Sequence, residues 1–135
     1  MVRPTDPLRA LDWDEPIHVD GALTLREFAT VLERYRVGVV LVTGRDAGSV
    51  GVVGERDLVT AIAGGADLDA VTVAELVGRE LVTADVDERI VDVARRLLDA
   101  GIRHVAVTRG DDVAAVLSTR DLLAVLVDDV AGRSS

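Results

Sequence analysis

Two stretches of this chain are versions of one another, and that duplication limits the fold more than any single residue does. Residues 16–43 set over 81–108, a shift of 65 with no gap, place Asp20, Ala29, Leu32, Val40, Val42 and Thr43 on Asp85, Ala94, Leu97, Val105, Val107 and Thr108. Residues 51–62 then lie over 115–126 at a shift of 64, and Arg56-Asp57-Leu58 recurs as Arg120-Asp121-Leu122. The one residue lost falls in the turns at 44–49 and 109–112. A fold that serves both copies must be built from one small supersecondary unit used twice.

The order of elements in that unit follows from periodicity and breakers. A short extended piece comes first, at 16–19 and 81–84. An amphipathic helix follows. In the first copy Thr24 and Glu27 have capping-box spacing, and Leu25, Phe28, Ala29 and Leu32 share a face. In the second copy Ile90, Val93, Ala94 and Leu97 do the same, and Gly101 ends the helix. Val-rich strands at 37–43 and 102–108 lead through Gly/Asp turns to strands at 50–53 and 113–117. A last helix spans 55–63, closed by Gly64-Gly65, or 119–127. The order is β-α-β-β-α, twice: an α/β fold of the α+β type. Paired strands within each copy argue against a single doubly wound sheet.

Thr72 and Glu75 form a second capping box, which predicts a short helix at 73–77; residues 7–11 look like its counterpart, with Pro7 at the first helical position. The expected division is a first repeat at 1–66 that includes the N-terminal helical segment, a second at 67–127, and a polar frayed tail at 128–135.

Composition narrows the function. The 135 residues carry a net charge of −9, and all 15 basic residues are Arg. That balance argues against nucleic acid and anionic membrane as partners, while leaving room for a small anion in a local Arg-lined pocket. There is no Cys, so disulfides, thiol catalysis and cysteine metal sites are excluded. His18 and His104 are the only histidines, and no metal-ligand spacing exists. No signal core or membrane span is seen, so the expected setting is cytoplasmic. With Trp13, Phe28 and Tyr35 the only aromatics, the core must be Val, Leu, Ile and Ala. His18 is expected as a half-buried wall residue and Trp13 as an apolar plug beneath the first repeat. No Ser–His–Asp spacing, phosphate loop or metal set points to an enzyme.

The tandem unit resembles the CBS domain pair, or Bateman module, from about residue 7 to 127. Residues 71–77 followed by 81–84 resemble the family's entry helix and first strand. Gly101-Ile102-Arg103-His104-Val105-Ala106-Val107 is similar to its G-h-R-H-h-P-V strand, with Ala106 at the usual Pro. Val116-Leu117-Ser118-Thr119-Arg120-Asp121-Leu122-Leu123 is similar to its h-h-[S/T]-x-x-D-h-h signature.

The resemblance implies two repeats about a pseudo-two-fold axis and a cleft that takes AMP, ADP, ATP, NAD or S-adenosylmethionine as a regulatory ligand, with no obligatory cofactor. Ser118 and Asp121 would hold the ribose. Thr119, Arg120, Arg103 and His104 would reach the phosphates, and Val82, Thr83 and Ile102 would wall the adenine. A second, degenerate site would comprise Gly54, Arg56 and Asp57. It further implies a homodimer formed through helices, and output through that dimer or an unidentified effector protein. The alternative is a dimerisation scaffold without a ligand.

The residues themselves are compatible with these roles. A helix start at Ser118 leaves N–H groups unpaired and favours an anion. A carboxylate at Asp121 accepts but cannot donate, which suits a ribose diol. The same S-x-x-D spacing is also a capping arrangement that stabilises a helix by about 0.5–2 kcal/mol with no ligand. In the first copy the Ser position is Gly54, and Arg103-His104 becomes Gly38-Val39, so the two sites are not expected to be equivalent.

Overall fold

Thr24 opens the first long helix in the way its spacing predicts. Its Oγ1 accepts from Glu27 N at 3.2 Å, and its own N–H donates to Glu27 Oε1 at 3.0 Å. The computed structural model describes residues 1–43, 50–78 and 82–134, with only the backbone described for residue 50 and for 130–134. The expected turn at 44–49 and the first residue of the strand expected at 81 lie outside the described residues.

The first copy is β1 (His18–Asp20), α1 (Leu25–Tyr35), β2 (Val39–Thr43), β3 (Val50–Gly54) and α2 (Glu55–Ala63). The second is β4 (Thr83–Asp85), α3 (Ile90–Ala100), β5 (His104–Arg109), β6 (Asp112–Ser118) and α4 (Thr119–Ser134). Each copy folds its own three-stranded sheet. The middle strand pairs parallel with the first strand and antiparallel with the third. Register matches between copies: Val40 faces Val53 as Val105 faces Leu117. Single-turn 3-10 helices at Leu8–Ala10 and Val73–Leu76 complete the set.

The helix starts show what those single turns are for. The first N–H groups of a helix have no partner within it. In α1, Leu25 N donates to Val71 O and Arg26 N to Leu68 O, both at 3.0 Å. In α3, Ile90 N donates to Asp6 O at 3.0 Å and Val91 N to Pro4 O at 2.9 Å. The connector therefore caps the first copy, and the N-terminal segment caps the second.

By packing, one unit is Pro16–Leu81 and the other is Met1–Glu15 with Val82–Ser135. This packing division differs from the repeat division expected along the sequence at 66/67, because the two helical segments change places. Leu8 is fully buried among Ile90, Val93, Leu97, Val105 and Leu122, and Trp13 packs against the same cluster rather than the first repeat. Val73 is buried with Leu25, Phe28, Val40 and Val53.

Other expectations shift by a residue or two. The outer strands begin at His18 and Thr83, because only three residues of each meet the middle strand. Their exposed–buried–exposed pattern turns Val19 and Ala84 inward, so His18 is exposed rather than half-buried. Pro7 is the residue before the first turn, extended at φ −70° and ψ 158°, and not its first member. The last helix extends past its expected end at 127. Nothing in 128–131 breaks a helix, and α4 continues to Ser134 through Gly132, whose cost is only about 1 kcal/mol.

Helices α1 and α3 also end alike. Gly101 takes the left-handed conformation after α3 at φ 66°, and Arg36 takes it after α1 at φ 52°. In the second unit the Arg96 guanidinium bonds Glu88 and donates to Thr83 O at 3.2 Å, tying α3 to β4. That bond holds the Glu88 carboxyl below its ordinary value.

Candidate functional site

The antiparallel hairpin of β5 and β6 places the expected ligand residues side by side. His104 and Ser118 are register partners, so they face one another across the two strands. Ser118 ends β6 and caps α4. Its N–H donates to Asp121 Oδ2 at 2.8 Å, and its Oγ accepts from Asp121 N at 3.0 Å. This reciprocal pair satisfies two backbone donors and fixes the Asp121 rotamer. Two groups are left over. The Ser118 hydroxyl has accepted and still has a proton to give. Asp121, which is exposed, has its second carboxylate oxygen without a protein donor among the described residues.

Arg103 lies just before β5 and Arg120 in the first turn of α4. Both are exposed, and neither has an ion-pair partner among the described residues. His104 is partly buried. One donor expected for a phosphate is otherwise engaged. Thr119 Oγ1 donates to Ile102 O at 3.0 Å and lies 3.2 Å from Arg103 O. A hydroxyl has one proton, so Thr119 fastens the strand entry to the helix start and offers no hydrogen to a phosphate. Ile102 is partly buried. Val82 and Thr83 sit at the far strand: Val82 O accepts from Ala106 N at 3.0 Å, and Thr83 pairs with Ala106, two residues along β5 from His104. The structure thus gathers Ile102, Arg103, His104, Ser118, Arg120 and Asp121 at one end of the sheet, with Val82 and Thr83 one strand away.

The first unit keeps the frame and loses the donors. Val39 and Gly54 are register partners where the second unit has His104 and Ser118. Asp57 Oδ2 accepts from Gly54 N at 2.7 Å, the backbone half of the same cap, but Gly54 has no hydroxyl to return. Arg56 and Asp57 are exposed. Between α1 and α2 this unit opens a groove of about 780 Å³ with Leu32, Val37 and Leu58 on its walls and Glu33, Arg36 and Glu55 at its rim. Glu55 was not legible as a site residue: a carboxylate in the first turn of a helix reads as a partner of the helix dipole. Its alignment with Thr119 was the available signal.

Among the described residues no helix is long and apolar enough to cross a membrane, and no group of three or more His, Asp or Glu side chains could hold a metal ion.

The paired three-stranded sheets with a capped Asp at the last helix define a tandem module. The CBS-domain family matches at residues 2–64 and again at 73–128, and the chain belongs to that family. It is similar to a CBS domain protein from Pyrobaculum aerophilum complexed with AMP, at 30% identity over 90% of this chain and 96% of that one, with a TM-score of 0.77. It is also similar to the CBS-domain protein ATU1752 from Agrobacterium tumefaciens, at 24% identity over 90% and 94% of the two chains and a TM-score of 0.79. The CBS domain pair of protein MJ0100, in complex with 5-methylthioadenosine and S-adenosyl-L-methionine, shares the fold at 20% identity over 93% and 99% of the chains, with a TM-score of 0.78. No curated protein matches it in sequence.

Proposed function

We propose that this chain is a regulatory sensor that binds an adenosine compound at the Ser118–Asp121 helix start. The observation that carries the reading is the reciprocal Ser118–Asp121 pair facing His104, in a chain 30% identical to a relative complexed with AMP. The free oxygen of Asp121 accepts from the ribose hydroxyls. The Ser118 proton, Arg103, Arg120 and His104 meet the phosphate, where the helix dipole already favours an anion. Val82, Thr83 and Ile102 border the adenine. The ligand is bound and released unchanged. AMP, ADP, ATP, NAD and S-adenosylmethionine are the candidates, and the first unit offers a degenerate site at Gly54, Arg56 and Asp57. Binding acts by favouring one state of a homodimer, or of a complex with an effector protein, over another. The cytoplasm is the setting that supplies such ligands.

A thermal-shift series with those ligands tests this. A ligand at a hundred times its dissociation constant stabilises by about 2.7 kcal/mol, several degrees in a domain of this size. Asp121→Ala removes the ribose acceptor. The expected result is a shift with AMP in the wild-type chain that disappears in the variant while the fold persists. An equal shift in both would remove Asp121 from the site. A second reading, a ligand-free dimerisation scaffold, is favoured by the first unit, where Gly38, Val39 and Gly54 supply no side-chain donor. Absence of any shift would support it.

A further inference from the structure

One position differs in consequence between the two units. Thr119 and Glu55 are each the first residue of the last helix. Each backbone N–H donates to the residue before the middle strand: Thr119 N to Arg103 O at 2.7 Å, Glu55 N to Gly38 O at 2.8 Å. The side chains then diverge. Thr119 spends its proton on the carbonyls of Ile102 and Arg103 and so fixes the backbone from which the Arg103 guanidinium extends. Glu55 lays its carboxylate against Gly38, where an added Cβ would sit 3.5 Å from Oε1.

The charges around the two helix starts follow suit. Near Thr119 they are Arg103, Arg120 and Asp121, with His104 across from Ser118. Near Glu55 they are Glu55 itself, Arg56 and Asp57, with Glu33 and Arg36 at the rim of the same groove, and the strand entry Gly38-Val39 adds none. A phosphate brought to the second unit meets two guanidiniums against one carboxylate. In the first unit it meets three carboxylates against two guanidiniums, a balance that opposes a second negative charge.

We propose that the residue opening the last helix, Thr119 or Glu55, sets the charge of the adenosine compound its unit accepts. A phosphate-bearing compound binds beside Thr119. A phosphate-free compound, neutral or cationic, binds beside Glu55. The inference rests on the adenosine-binding reading above. Thr119 acts as a positioning residue through Arg103, whereas Glu55 acts by its own charge.

The test is calorimetric titration of the whole chain with AMP and with adenosine. Thr119→Glu brings the first unit's carboxylate into the second, and Thr119→Gln is its uncharged isostere. Thr119→Glu is expected to weaken AMP by about tenfold or more while adenosine stays within about threefold; Thr119→Gln is expected to lose clearly less AMP affinity. Equal loss of AMP in the two variants, or adenosine falling in step with AMP, overturns the assignment. Should Thr119→Glu not fold, the converse stands in: Glu55→Thr in an Asp121→Ala chain should bind AMP about tenfold more tightly than Asp121→Ala alone, and no gain overturns it. A wild-type chain that binds neither probe removes the adenosine reading itself. A wild-type chain that binds AMP but fails the variant pattern removes this inference alone.

Discussion

Helix α4 is capped by Ser118 and helix α2 by Gly54, yet both begin at the same place after equivalent hairpins. Asp121 and Asp57 accept from those cap residues at 2.8 and 2.7 Å. The backbone frame of the site is therefore indifferent to the cap side chain. What the first unit lacks is donors, at Gly54, Val39 and Gly38. Under the proposed function, structural capping and ligand recognition use the same Asp, but only recognition needs its neighbours. Conservation of the cap geometry across the two units is thus no measure of how well each unit binds.

Four perturbations press on that comparison. The largest concerns which segment belongs to which unit. Leu8→Ala opens a cavity in the core that contains Ile90 and Leu122, and should cost about 2–5 kcal/mol. Hydrogen exchange should accelerate in β5 and α3 before it does in β2 and α1; equal acceleration would mean that the N-terminal segment serves both units alike.

Next is Gly51, whose counterpart is Ala115. A Cβ on Gly51 would lie 2.3 Å from Val77 Cγ1, and Val is stiff at that bond. Gly51→Ala should cost about 1–3 kcal/mol in denaturant unfolding. An unchanged midpoint would show that the connector yields at Val77 to a side chain of the size Ala115 carries in the other unit.

Ser118→Gly then converts the second cap to the first. Gly is nearly as good a cap, so stability should fall by only about a few tenths of a kcal/mol. AMP affinity should fall by about tenfold, the loss of one hydrogen bond to a charged group. A matching loss of stability and affinity would make the hydroxyl a structural group only.

The smallest effect is acid dependence. Arg96 and Glu88 occupy the places that Val31 and Leu23 hold in the first unit. Glu88 is held below its ordinary value by the Arg96 bond, so its contribution is complete above the unfolded carboxyl range and fades as pH falls through the lower folded value. The stability difference between wild type and Arg96→Met should therefore be present at neutral pH and vanish on acidification. A difference that is flat down to strongly acidic pH would assign the effect to lost packing of the Arg stem.

Much of this was legible along the chain because it is local. The Thr24–Glu27 box, the closure of α2 by Gly64-Gly65, and the end of α3 at Gly101 all depend on residues within one turn of each other. The Ser118–Asp121 pair was legible for the same reason, but its facing residue His104 was not: an unbroken register from Thr108–Val113 would set His104 opposite Leu117, and the shift between Val107 and Thr108 moves it to Ser118. The exchange of the two single-turn helices was not legible. Leu8 and Val73 are both apolar residues that begin single helical turns, and pattern alone does not say which helix start each will meet. Thr119 misled in another way. A hydroxyl at a helix start suits a phosphate or a backbone carbonyl equally, and only the approach of Ile102 and Arg103 decides between them.

The exchange of those segments also sets an order of events during synthesis. The unit at Pro16–Leu81 is made of consecutive residues, so it can close its core as soon as it leaves the ribosome. The other unit needs residues at both ends. Its first segment, carrying Leu8, emerges early and must wait, with its apolar face in water, until β4, α3 and β5 follow it out. Closing that long loop costs only modestly more entropy than closing a short one, but it comes late and slows assembly. The folded first unit is then already in place as a compact spacer within the loop, shortening the search that brings Leu8 to Ile90.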